Sequence, residues 1–162
     1  MGWYETMVAK AAEVVTDEEI LGVGVFEPPG AVKSGVATLH ATDTMGVTEH
    51  RTYDGVPQHC LVAVTPTKLH LISVTAIADK NLATVVVQDP QPFAVIDRDH
   101  LEVSFHLRKL FPSTLLLSDL EHDAHYHLLG AAQKHLNGTA RHVFDALEGQ
   151  ADVVAATDDA PA

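Results

Sequence analysis

Apolar side chains recur with a helical period at the two ends of the chain and with a strand-like period between them. Tyr4, Met7, Val8, Ala11 and Val15 fall on one stripe of residues 3–15, with Lys10 and Glu13 on other faces, which predicts an amphipathic N-terminal helix. Polar residues 16–19 interrupt it. The run ILGVGVF at 20–26 then reads as a strand whose glycines suit bending, stopped by Pro28, Pro29 and Gly30. Residues 30–57 show no durable period and are expected to be irregular, with a short helix, an ordered excursion or a strand at 47–53 as the options.

From His59 the pattern becomes a series of β segments: HCLVAV, KLHLISV, TVVVQ, FAVID, LEVSF, STLLLSDL and AHYHLL. The first two are joined by Thr65, Pro66 and Thr67, where proline pre-sets a turn. In LEVSF, Leu101, Val103 and Phe105 alternate with Glu102, Ser104 and His106, the period of a strand with one wet face. Beyond the strands, Asn137 stands at an N-cap position, and Ala140, Val143, Phe144 and Leu147 follow i, i+3, i+4, i+7. Gly149 ends this C-terminal helix, and QADVVAATDDAPA reads as a mobile acidic tail.

The expected fold is therefore α+β and mainly β: a strongly bent antiparallel sheet or half-barrel of about seven strands, capped by the C-terminal helix. The N-terminal helix (1–16) is an addition, 17–149 form one domain with an irregular insertion at about 30–57, and 150–162 are the tail. At 162 residues, 46% hydrophobic and 20% charged, the chain suits a single folded domain.

This succession resembles the pleckstrin-homology-like (PH-like) superfold, in particular the small bacterial PH-like domains, over roughly residues 18–148. LVAVTPTKLHLISV is similar to their hairpin of apolar strand, Thr-x-x-Lys/Arg turn and apolar strand. The resemblance implies a terminal helix, here 139–147, that plugs the open end of a half-barrel, and a role in binding or assembly rather than chemistry. Lipid-binding members carry a basic signature in the first hairpin loop. This chain departs from it: between Phe26 and His50 the only Lys or Arg is Lys33.

Charge points the same way. The formal charge is −12, with nine acids against three bases in residues 1–60 and seven against two in 121–162. Such a field disfavours nucleic acid and acidic membranes as partners. Protonating all eleven histidines would bring the formal charge to about −1. No apolar run approaches the roughly 20 residues of a membrane span, and the start lacks a basic leader pattern, which predicts a cytoplasmic protein. Cys60, the single cysteine, is expected to be a buried inert thiol.

Candidate chemistry concentrates in EHDAHYHLLG, residues 121–130. If 115–120 and 124–129 pair as a hairpin, His125 and His127 share one face, with Tyr126 and Leu128 on the other. A metal site needs three or four ligands at about 2.0 to 2.2 Å, so the pair requires a carboxylate. A three-residue turn would set Asp119 opposite His125 and supply it; a two-residue turn would set His125 opposite Leu120. Gly22-Val-Gly-Val lacks the third glycine and following helix of a dinucleotide fingerprint, and no nucleophile elbow, P-loop or Cys-x-x-Cys is present. The knot Asp97-Arg98-Asp99-His100 reads as a turn, with Arg98 available to an anion. Arg108, Lys109 and Phe111 form a basic and aromatic corner suited to a partner.

The leading expectation is a non-catalytic PH-like interaction or assembly module, not an enzyme and without a cofactor, binding protein or peptide or self-associating as a homo-oligomer. Its surface candidates are a sheet edge, the 30–57 segment, and Arg98, Arg108, Lys109 and Phe111. The alternative is a metal-dependent small-molecule binder or enzyme on a β-barrel, using His125, His127 and Asp119.

Overall fold

The structure is a computed structural model and describes residues 2–29, 49–78, 85–108, 112–131 and 139–157. In chain order these form helix α1 (Trp3–Ala12), strand β1 (Gly22–Phe26), the small hairpin β2 (Thr52–Tyr53) and β3 (Val56–Pro57), then β4 (Cys60–Val64), β5 (Lys68–Ala78) and β6 (Val85–Asp97). A 3-10 turn, Arg98–His100, leads into β7 (Leu101–Arg108), β8 (Ser113–Asp119), β9 (Ala124–Gly130), helix α2 (Ala140–Ala146) and β10 (Asp152–Thr157).

Two four-stranded sheets carry the fold, in the orders β1-β4-β5-β6 and β10-β7-β8-β9. Every pairing in them is antiparallel except β10 on β7, which is parallel. The sheets meet where β1 runs out: Glu27 N–H donates to Leu129 O (2.9 Å) and Leu129 N–H donates to Glu27 O (2.7 Å). The result is an open, two-sheet half-barrel, mainly β and not closed, as the sequence pattern predicts.

Helix α2 fills the space between the sheets. Val143, Phe144 and Leu147 are buried, and the Phe144 ring stands 4.4 Å from that of Phe105 on β7 and 6.3 Å from that of Phe26 on β1. This approach explains the glycines of β1 better than bending does. A Cβ on Gly22 would lie 2.4 Å from His142 O, and one on Gly24 would lie 3.1 Å from Thr139 O. Only a bare backbone admits the helix. Thr139 fixes its start, its Oγ1 accepting the Val25 N–H at 2.9 Å. Asn137, the expected cap, lies outside the described residues.

Helix α1 packs on the other side of the first sheet. Met7, Ala11 and Val15 form a second core with Val23, Val25, Leu61, Ala63, Ile72, Val74 and Val87. Tyr4 anchors its N-terminal turn, accepting the Val23 N–H on its hydroxyl (3.1 Å) and stacking on the His142 ring at 3.8 Å. With both faces covered, β1 and β4 are buried at every position, the pattern of a strand inside a layered fold.

The turn 65–68 is held from a distance. Thr65 N–H donates to Lys68 O and Lys68 N–H to Thr65 Oγ1, while both threonine hydroxyls donate to Glu18 Oε1 at 2.8 and 2.6 Å. Lys68 Nζ adds a contact to Asp17 at 3.1 Å. The polar interruption after α1 is thus the clamp on the first hairpin.

Two expectations are corrected. TVVVQ and FAVID are not separate strands but the ends of β6, which carries two bulges opposite β5: one extra residue at Phe93, and one more between Gln88 and Gln91. The bulges accommodate Pro90 and Pro92, and β6 is an edge strand, where proline is tolerated. The C-terminal segment is not a tail through its length, because Asp152–Thr157 pairs with β7. Phe105 and His106 stand level with Val153 and Val154 there, so the apolar dipeptide continues the sheet.

Candidate functional site

The histidine hairpin resolves into two unlike halves. Asp119 pairs with Ala124 and Ser118 with His125, so the loop has four residues and matches neither register considered for it. The cause is Asp119 itself. Its Oδ1 accepts the N–H groups of Glu121 (3.1 Å) and His122 (3.2 Å), its Oδ2 accepts His122 Nδ1–H at 2.8 Å, and Asp123 closes the loop with φ of 51°. Burial would raise the Asp119 carboxyl, but the hydrogen bonds from the His122 ring and backbone outweigh it and hold the group below the usual carboxylate range. The same hydrogen bond raises His122.

His125 and His127 lie on the opposite, exposed face, as the alternation predicts. His125 hydrogen-bonds Ser118 Oγ at 3.0 Å, and His127 is pushed below its ordinary value by burial and by His106. Asp119 is therefore removed from the pair it was to complete as a metal ligand. Among the described residues no group of three His, Cys, Asp or Glu is arranged to hold a metal ion.

The basic candidates divide similarly. Arg98 is not available to an anion: its Nη1 donates to Thr65 O (3.0 Å), its Nε to Gln150 Oε1 (2.9 Å) and its Nη2 to Ala146 O (3.5 Å). Gln150 returns hydrogen bonds to Arg98 O and Leu101 O, so the knot 97–100 is a clamp on the end of α2. Arg108 ends β7, its N–H donating to Ser113 Oγ. Lys109 and Phe111 lie outside the described residues.

Three features escaped sequence reading. On β6, Phe93 and Val95 are 38% and 45% exposed, while Ala94 and Ile96 turn into the core between them. At the end of β1, Glu27 and His59 are both buried and continue the β1–β4 register, with His59 Nδ1 3.2 Å from Glu27 Oε1. Neither ring nitrogen of His59 has a hydrogen-bond partner in satisfactory geometry. Toward the other end of the β4–β5 pairing, opposite Ala63, His70 is buried with Nε2 likewise unpartnered, and burial pulls its basicity down.

The third feature is a hydrogen-bonded series of Ser73, His50 and Asp89. Ser73 Oγ stands 2.6 Å from His50 Nδ1, and His50 Nε2 stands 2.9 Å from Asp89 Oδ2. Ser73 points to the inner side of β5, between Ile72 and Val74 of the outer core. Asp89 owes its position to the second bulge of β6, where it adopts φ of 50°. His50 is the largest influence on Asp89, holding the carboxylate below its usual range. Sequence alone offered no signal, because the three residues are spread over 40 positions with no motif around any of them.

Cys60 meets its expectation as a buried thiol, pushed up to about 12 by burial. Among the described residues no helix is long and apolar enough to cross a membrane. No family model matches the chain, and no curated protein and no solved structure matches it.

Proposed function

We propose that the chain is a PH-like interaction or assembly module that docks a protein partner on the face of β6. Its strand succession supports this reading: a four-stranded meander of β1, β4, β5 and β6, a three-stranded meander of β7, β8 and β9, then a helix inserted between the sheets. The observation that carries the docking site is the exposed Phe93 and Val95 pair on an edge strand. An exposed aromatic side chain on a rigid strand is a suitable anchor, and Val95 extends the apolar surface beside it. Pro90 and Pro92 have no N–H to offer, so the rim of β6 is a poor template for strand addition and recognition falls to its face.

Charge selects the partner. Asp89 and Asp97 flank the pair on β6, and the whole chain carries −12, which favours a basic partner over a second acidic copy. The test uses labelled peptides with one aromatic anchor and either a basic or an acidic flank, titrated with the full chain. The basic peptide is expected to bind, more weakly as salt rises, and to lose at least tenfold in affinity with the Phe93→Asp, Val95→Asp variant. Undiminished affinity in that variant, or preference for the acidic peptide, would overturn the reading. Sedimentation of the free chain checks the other occupant: a dimer dissolved by the same substitutions would replace the basic partner with a second copy.

A further inference from the structure

We propose that Ser73, His50 and Asp89 form a nucleophilic site that hydrolyses esters of short, uncharged acyl groups. This goes beyond the docking role and does not depend on it: Asp89 also flanks the docking pair, but Phe93 and Val95 take no part.

The geometry has two relationships on which such chemistry is built: a nucleophile on a base, and the base on an orienting acid. With Asp89 accepting from His50 Nε2–H, the neutral imidazole is held in the tautomer that leaves Nδ1 a bare acceptor. Nδ1 then faces the Ser73 hydroxyl at 2.6 Å, close enough to take its proton. The nitrogens are used in the reverse of the familiar order, but the logic of the series is unchanged. Asp89 is held with φ in the left-handed region, on a bulge of the kind that re-aims side chains beside active sites. Access runs from the His50 side: Ser73 is half-buried beside the buried Cys60, while the side chains of His50 and Asp89 are 26% and 61% exposed.

The reaction follows from these placements. Ser73 Oγ attacks the ester carbonyl carbon, its proton passes to His50 Nδ1, and the carbonyl π pair moves onto oxygen. Collapse of the tetrahedral adduct breaks the bond to the alkoxide, which takes the proton from Nδ1 and leaves as alcohol. Water then attacks the acyl-Ser73 carbonyl and gives its proton to Nδ1. The second collapse frees the carboxylic acid, and Ser73 Oγ recovers the proton. The Asp89 carboxylate at the mouth and the net charge of −12 repel anionic acyl groups, and the half-buried position of Ser73 favours a short acyl chain over a bulky one.

The full chain is incubated with a fluorophosphonate probe and with 4-nitrophenyl acetate and butyrate. The probe is expected on Ser73 by peptide mass mapping, and Ser73→Ala is expected to lower ester turnover by about 100-fold or more while keeping the wild-type circular dichroism. His50→Gln should do the same. Asp89 positions the base, so Asp89→Asn, which tolerates the same backbone, should lower kcat with KM unchanged, and Asp89→Glu should recover part of the loss. His125→Ala with His127→Ala should leave turnover as it was, excluding surface imidazoles as the source. A probe carried on another residue or on none, or a Ser73→Ala variant as fast as the parent, would overturn the proposal.

Discussion

The two sheets are built from similar numbers of strands and live in different environments. In the first, β1 and β4 are buried at all five positions, because α2 and the second sheet cover one face and α1 covers the other. In the second, β7 and β8 alternate buried with exposed or half-exposed residues, and Glu102, His106, His125 and His127 face water. The first sheet is a middle layer and the second an outer wall. The difference teaches that α1 is part of the fold's second core rather than an appendage, and that freedom to vary side chains is concentrated on one side of the molecule.

The strongest way to break this comparison is to uncover the first sheet. Met7 is 1% exposed and sits at the centre of the outer core. Met7→Ala should cost about 2–5 kcal/mol, the range for deleting a large buried side chain, read by urea denaturation. A cost below about 0.5 kcal/mol, the surface range, would show α1 to be a loose overlay and the two sheets to be alike.

The opposite face of that sheet is tested next. Gly22→Ala places a methyl against the backbone of α2 at His142, and overpacking of this kind costs about 1–3 kcal/mol. Gly149→Ala is its control, because nothing lies within 4 Å of a Cβ there. Its thermal midpoint should match or slightly exceed that of the parent.

These contrasts also explain which parts were legible. Alternation in LEVSF placed β7 and its wet face correctly, since one face of that strand meets solvent. The stripe Ala140, Val143, Phe144, Leu147 placed α2, all four side chains being buried. Where both faces are covered the period vanishes, so ILGVGVF marked a strand without revealing that its glycines make room for a helix. TVVVQ and FAVID read as two strands because local rules do not anticipate bulges, here beside Pro90 and Pro92, on an edge strand. Ala151 to Thr157 looked tail-like because its side chains are small and its partner, β7, is some 50 residues away in sequence. The Ser73, His50, Asp89 series was invisible for the same reason: pairing of β5 with β6 and the approach of His50, ahead of β2, create it, and no local spacing encodes it.

On the second sheet the largest single effect should come from the one inward acid. Asp119→Ala removes the acceptor of two loop N–H groups and one imidazole, and should cost about 1 kcal/mol, as for loss of a capping side chain. The pH dependence has two limbs. Asp119 is depressed in the folded state, so its contribution is present above the ordinary Asp range and is lost as pH falls through its folded value. His122 is raised, so its contribution is complete below about 6.5 and is lost as pH rises through its folded value. The loop is therefore most stable between about pH 4 and 6.5, and the variant should flatten both limbs in stability measured against pH.

The smallest effect belongs to the exposed face itself. His127 is depressed by partial burial and by the neighbouring His106, so its protonation opposes folding: stability is unaffected above its ordinary range and falls as pH drops through the folded value. His106→Asn removes the electrostatic share of that depression and leaves the burial. The His127 imidazole resonance, followed by NMR against pH, should then titrate at higher pH than in the parent, though still below an unperturbed histidine. At neutral pH the same substitution should change stability by less than about 0.5 kcal/mol. A large loss there would mean that the outer wall is as tightly constrained as the middle layer, and the distinction between the two sheets would fail at its weakest point.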